Sequence, residues 1–280
     1  MRPRVVCEAR RHGSAEVVVR PAERRPRRVG SPLNVAFLTT EDPLYLPSFF
    51  ERVLSVRTDG SSVFVVPPLY KNQSTRAATW RYVRTFGLGA ALGLAAKVAR
   101  AKLRKRSVAR VCRSYGVLCE PARDVNDPKF LDRLRAMNTE LIVSVSCPQI
   151  FKKSLIELAP DGCLNVHGAI LPAYRGVLPS FWMLANGEKQ AGVSIFFVNE
   201  EIDAGDLCGQ RIFDIRPDES LDSFLRRSKT IAADLLLEVL GAIERGTVER
   251  TPLDLSNGSY YSWPDRKAVR RFYAAGRRVW

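Results

Sequence analysis

Asn165 and His167 stand two positions apart in the run CLNVH, residues 163–167. On an extended chain, side chains two apart point to the same face, so an amide and an imidazole would lie side by side. An amide offers N–H donors and cannot ionise, which suits negative charge developing on an oxygen. An imidazole can donate to the same oxygen or carry a proton away. A carboxylate able to orient that ring is offered by the acidic turn NEEIDAGD of residues 199–206. An amide and an imidazole at one strand end, with a carboxylate at the end of a neighbouring strand, make a catalytic layout. The chain has two histidines, and His12 falls in an irregular head, so His167 is the imidazole left for the folded part. No Cys/His spacing of a metal site occurs, and no metal is expected. Cys163 would share the face of Asn165 and reads as a buried structural thiol.

These residues need strands, a tight loop and helices to hold them. Gly168, Pro172, Gly176 and Pro179 make a loop directly after His167. A helix is predicted over 179–186, closed by Gly187, then a buried strand over 192–198. Upstream, strands over 33–39 and 61–66 flank a helix over 44–56 whose apolar face carries Leu46, Phe49, Phe50, Val53 and Leu54. That spacing is a parallel β-α-β crossover. A third strand is expected over 115–119, a helix over 128–137 and a central strand over 140–146. A short helix over 151–158, a strand over 207–215 and a long helix over 219–245, capped by Ser220, complete the series. The class is α/β, a mostly parallel sheet with helices on both faces. Such sheets bind ligands at the carboxyl ends of their strands. The turn after the first strand, TTEDP, has no glycine fingerprint for a dinucleotide.

The pattern N-x-H-x-x-x-L-P-x-Y-R-G, then G-V-S-I, then I-D-A-G-D, resembles the folate-dependent formyltransferases. That group includes glycinamide ribonucleotide, methionyl-tRNA and amino-sugar formyltransferases. The resemblance covers residues 140–215 closely and 33–245 loosely. It implies a Rossmann-like formyltransferase fold, the catalytic trio Asn165, His167 and Asp203, and 10-formyltetrahydrofolate as donor. By position in the motif, it places the donor against Cys147, Pro148, Gln149 and Ile150 on one loop and Val198, Asn199, Glu200 and Ile202 on another. Arg175 and Gly176 are the expected acceptor contacts. One departure stands out: the family usually has Ser two residues after the histidine, and this chain has Ala169.

Composition bounds the rest. With 280 residues and 46% apolar content the chain can bury a normal core. The head lacks a compact apolar stretch and reads as no secretory signal, so a cytoplasmic enzyme is expected. The six cysteines form no CxxC and read as reduced thiols. The net charge of +15 is uneven: +6 over 1–30, +12 with no acidic residue over 71–113, and +5 over 245–280, leaving −8 for the remainder. The organisation expected is therefore a disordered basic tail (1–32), a catalytic domain (33–245) with a basic helical insert (71–113), and a short extension (246–280) whose aromatics dock back on the domain. The insert's apolar centre, 86–98, is too short to span a bilayer. It either packs on the domain, with Gly87, Gly89 and Gly93 allowing close approach, or lies on an anionic membrane surface.

The acceptor follows from the same resemblance. Methionyl-tRNA formyltransferases add a β-barrel of about 100 residues, whereas 35 residues follow residue 245 here. Glycinamide ribonucleotide enzymes lack the Arg and Pro of YRGVLPSFW. The expected acceptor is an amino sugar, nucleotide-linked or not, or a similar small amine, with tRNA ranked below it. Oligomerisation stays open. Two other classes stay open too: a formyltransferase-like binding protein without turnover, and a basic nucleic-acid-binding protein, which the acidic catalytic region disfavours.

Overall fold

The computed structural model describes residues 32–68 and 74–280. The tail expected over 1–32 lies, but for its last residue, outside the described residues, as do residues 71–73 of the insert. Two runs of apolar, β-branched and aromatic residues open the fold, β1 (Val35–Thr40) and β2 (Ser61–Val66), joined by α1 (Leu46–Leu54). Three helices follow, α2 (Thr75–Phe86), α3 (Leu88–Leu103) and α4 (Val108–Ser114). Then come β3 (Leu118–Pro121), α5 (Pro128–Ala136), β4 (Leu141–Val145), α6 (Lys153–Ile156) and β5 (Cys163–His167). The chain continues through β6 (Arg175–Gly176), α7 (Pro179–Ala185), β7 (Gln190–Phe197) and β8 (Leu207–Asp214). It ends with α8 (Leu221–Arg245), β9 (Tyr260–Tyr261) and α9 (Arg266–Ala274).

Seven of these strands form one sheet in the order β3-β2-β1-β4-β5-β7-β8. The first five pair in parallel, β7 pairs antiparallel with β5 and with β8, and β8 therefore runs with the five, so the expected mostly parallel sheet is present. Alternation along β1 shows why helices cover both faces. Val35 and Phe37 join a core with Phe49 and Phe50 of α1 and Leu236 and Leu240 of α8, while Ala36 and Leu38 join another with Leu131 and Leu134 of α5. The strand order reverses direction between β1 and β4. That is the switch point at which open α/β sheets leave a crevice at the carboxyl ends of their strands.

One boundary is corrected. The third strand is Leu118–Pro121, because Tyr115 still caps α4 and Gly116, at φ +68°, ends that helix before the chain extends. The helical insert comprises α2, α3 and most of α4, with Gly87, at φ +90°, breaking the run between the first two. Of the three glycines, Gly93 alone is needed for close approach. A Cβ there would lie 2.5 Å from the Trp280 indole nitrogen, while Gly87 and Gly89 meet nothing within 4 Å.

The C-terminal segment does dock back on the domain. β9 pairs with β6, Tyr261 stacks on Tyr174, Trp182 donates to the Ser262 carbonyl, and Val269 and Phe272 of α9 are buried beside Phe181. Asp222 ties three further elements together. It accepts from Tyr45 after β1, from Lys97 of α3 and from Arg226 one turn on in α8. Desolvation alone would push this carboxyl up, but the hydrogen bonds from Lys97, Arg226 and Tyr45 together hold it below the usual range. A depressed carboxyl stabilises the fold above its unfolded value and loses that contribution as pH falls through its folded value. Asp222→Asn should therefore lower the Tm at pH 7 by about 5 °C. In thermal melts the gap should close as the pH drops below about 4.

Candidate active site

β5 is buried between β4 and β7, which puts Asn165 opposite Ser144 and His167 opposite Ser194. Both side chains line one cleft of about 850 Å³, and Asp203 meets them there. The His167 Nε2 lies 2.9 Å from the Tyr174 carbonyl oxygen. A carbonyl only accepts, so this contact protonates Nε2 and leaves Nδ1 as the open nitrogen. Nδ1 faces Asp203 Oδ2 at 3.8 Å. Asn165 Nδ2 lies 3.5 Å from Asp203 Oδ1, and Asp203 Oδ2 also accepts from the Gly176 backbone N–H at 2.8 Å.

Asp203 reaches this position by an unexpected route. The strand before it, β7, is antiparallel to β5, and its last residue, Phe197, sits beside Leu164 at the amino end of β5. The loop over 198–206 must therefore reach back along β5 to bring the carboxylate to Asn165 and His167. Two backbone features permit this. Asp203 adopts φ +50°, a region Asp tolerates better than most residues. Gly205 passes so close to Phe197 that a Cβ would lie 1.7 Å from its carbonyl oxygen.

The loop after His167 is held from outside. Ser194, fully buried, donates through Oγ to the Ala169 carbonyl at 2.7 Å and accepts from the Leu171 N–H at 3.1 Å. The backbone at 169–171 is thus pinned without a hydroxyl at position 169. Tyr174, which aims its carbonyl at His167, is fixed by Ser259 Oγ on its N–H and by its own hydroxyl donating to Glu188 at 2.5 Å. Sequence reasoning missed Ser194, Tyr174 and Ser259 as positioning groups. The one signal was a serine inside the otherwise apolar strand GVSIFF, since a buried polar side chain in a sheet needs partners.

The two loops expected to hold a donor both line the cleft: Cys147, Pro148, Gln149 and Ile150 after β4, and Val198, Asn199, Glu200 and Ile202 after β7. Their polar side chains are already engaged. Gln149 accepts from Val125 N and donates to Arg123 O, and Asn199 accepts from Glu201 N. What they offer a ligand is backbone groups and two exposed apolar side chains, Ile150 and Ile202. Gly176 lines the cleft, but Arg175 does not; its guanidinium pairs with Glu201 at 3.3 Å. The cleft also contains Lys229, whose Nζ donates to Ser146 Oγ at 2.7 Å. Desolvation pulls this ammonium below the usual lysine range and pushes the Asp42 carboxyl up.

Burial also pushes the Cys147 thiol up to about 11. At pH 8 its thiolate fraction is then about 100-fold below that of a free cysteine. Iodoacetamide should label it slowly at pH 8 and much faster near pH 11, read as peptide modification by mass spectrometry.

Residues 90–240 match the family model described as formyl transferase, more than half of the chain. The chain belongs to the formyl transferase family. It is 33% identical over 159 residues to a methionyl-tRNA formyltransferase of Kosmotoga olearia, covering 57% of this chain and 51% of that one. The chain thus spans about half the length of the curated relatives it matches. Among solved structures it resembles glycinamide ribonucleotide transformylase 1 of Symbiobacterium toebii, with a TM-score of 0.55 and 16% identity over 80% of this chain and 96% of that one. It also resembles an N-formyltransferase of Helicobacter canadensis solved with folinic acid and dTDP-3-aminofucose, at a TM-score of 0.52 and 16% identity over 82% and 71%. At such identities the likeness is one of fold.

Proposed function

We propose that this chain transfers a formyl group from 10-formyltetrahydrofolate to a primary amine of a small acceptor, an amino sugar first among them. The observation that carries this reading is the convergence of Asn165, His167 and Asp203 in one cleft, with donors and a carboxylate around a space open to ligand. The donor supplies a formyl carbon already at the formate oxidation level, so its transfer from one nitrogen to another needs no oxidant or reductant. The chain's own groups do the rest. An Asn165 N–H meets the charge that develops on the formyl oxygen. His167, held by Tyr174 at Nε2, takes the amine's proton at Nδ1 and returns it to the donor nitrogen as that nitrogen's bond to the formyl carbon breaks and tetrahydrofolate leaves, and Asp203 matches the charge the ring carries in between. The backbone of residues 147–150 and 198–202, with Ile150 and Ile202, would hold the folate; the family membership and the folinic acid in the Helicobacter canadensis enzyme support that placement. Residues 33–245 act as the catalytic domain and 246–280 as a clamp on its loop.

The acceptor reading rests on the cleft's charge. Asp42, Glu200, Glu201, Asp203 and Asp222 line it, with Lys229 as the one cation among the described lining residues; Asp222 and Glu201 are partnered from outside the lining by Lys97, Arg226 and Arg175, so Asp203 and Glu200 carry most of the argument. Such a lining favours a compact amine over a polyphosphate backbone. The dTDP-3-aminofucose in the Helicobacter canadensis enzyme presents a primary amine on its sugar end, and it is that end, not its diphosphate, that the acidic lining suits. A second reading, an aminoacyl-tRNA acceptor, is favoured by the identity to methionyl-tRNA formyltransferases. The test is tetrahydrofolate release from 10-formyltetrahydrofolate with nucleotide-linked 3-amino and 4-amino sugars, charged initiator tRNA or glycinamide ribonucleotide. Turnover with an amino sugar supports the first reading and turnover with tRNA the second. Absence of folate binding would sink both.

A further inference from the structure

α3 is apolar on its outer face as well as on the face it turns to the domain. At 100° per residue, Leu88, Leu92, Ala95, Ala96, Ala99 and Leu103 fall within an arc of about 100°, and every one of them is exposed. Leu88 and Leu92 keep 63% and 62% of their surface in solvent, and Leu103 keeps 84%. Lys97, on the opposite face, points inward: its Nζ bonds Asp222 at 2.7 Å and lies 4.8 Å from the Trp280 ring centre. The inner face also carries Gly93 against Trp280, buried Ala101, and Leu94 in the cleft. The leucines face outward because the inward side is already taken, not because the helix is loose.

The charge around the stripe has one sign. Exposed Arg100 and Lys102 flank it on either edge, and Arg104 and Lys105 follow its carboxyl end. Residues 71–113 hold twelve Lys and Arg and no Asp or Glu. A helix of 16 residues is about 24 Å long, short of the roughly 30 Å hydrocarbon core. No helix among the described residues is long and apolar enough to cross a membrane. An apolar stripe edged by cations, too short to span, is the pattern of a helix lying in the headgroup region of a bilayer.

We propose that the outer face of α3 docks on an anionic phospholipid surface, with Leu88, Leu92 and Leu103 entering the acyl boundary and the flanking cations meeting lipid phosphates. This stands apart from the reaction proposed above. It has a consequence for access, because the same hairpin lines the cleft from its inner side through Tyr82, Phe86 and Leu94. Docking would bring the cleft close to the lipid surface.

The experiment is co-sedimentation of the full chain with phosphatidylcholine vesicles, with and without phosphatidylglycerol. The chain should sediment with the anionic vesicles and not with phosphatidylcholine alone. The pair Leu88→Gln and Leu92→Gln leaves the charge unchanged and should weaken vesicle binding at least about tenfold, with the Tm unmoved. Failure to sediment with anionic vesicles would overturn the proposal, and so would binding that the glutamine pair leaves intact. So would a lipid-free dimer, seen by analytical ultracentrifugation, that the pair dissolves; the stripe would then be a contact between copies. Binding of a short RNA in place of vesicles, insensitive to the pair, would assign the charge to nucleic acid instead.

Discussion

Asn165→Ala should lower kcat by about 10²- to 10³-fold while folate affinity stays within a few-fold. The reasoning starts from what the amide can do where it stands. It is half-buried on β5, opposite Ser144, with one N–H at the limit of hydrogen-bond reach of Asp203 Oδ1. Its remaining donor capacity faces the cleft. In the ligand-free protein little rests on that donor, so its loss should not disturb folding. As charge develops on the formyl oxygen, the missing N–H becomes costly, because no nearby group replaces it in a partly desolvated site. Asn165→Asp sharpens the test: it keeps the shape but replaces a donor with a second carboxylate beside Asp203, so the loss should be at least as large. The checks are kcat from tetrahydrofolate release and donor affinity by titration calorimetry. A kcat within threefold of the parent would remove Asn165 from the proposed chemistry.

The regular elements were legible because their signals are local. The periodicity of FFERVL, the β-branched runs at 61–66 and 140–146, and the Ser220 cap each act over a few residues, and each element appears close to where it was expected. Asn165 and His167 were legible for the same reason, since a strand alone puts them on one face. The misses are non-local. Tyr115 could extend or finish a helix, and the choice went to α4 because Gly116 supplies a positive φ and Val111 and Cys112 accept from Tyr115 N. Nothing near Tyr174 says that its carbonyl will hold an imidazole seven residues back, because its conformation depends on Ser259 and Tyr261, some 85 residues on. Arg175, the most conspicuous residue of the YRG motif, pairs with Glu201 instead of lining the cleft. The direction of β7 was equally out of reach, and it decides how Asp203 arrives.

Asp203→Asn tests that arrival, and its expected effect is the larger: a fall in kcat of about 10²- to 10⁴-fold with the fold retained. The substitution is nearly isosteric. Asn tolerates the positive φ at this position, and its amide oxygen can still accept from the Gly176 N–H that the carboxylate accepts now. What it removes is the negative charge 3.8 Å from His167 Nδ1. With Nε2 committed to the Tyr174 carbonyl, Nδ1 is the nitrogen at which a proton must arrive, and a ring protonated there needs a partner in a buried site. Asp203→Ala should differ in kind. It also releases Gly176 and the loop, so it should lower the Tm and raise KM besides reducing kcat. The ring itself gives an independent reading. The sequence has only two histidines, so ¹⁵N spectra of the imidazoles can be assigned with His12→Gln. The resting His167 should show Nε2 protonated in both the parent and Asp203→Asn, since Tyr174 sets it. A proton on Nδ1 in the neutral ring would contradict the hydrogen bond to Tyr174 and reverse the roles of the two nitrogens.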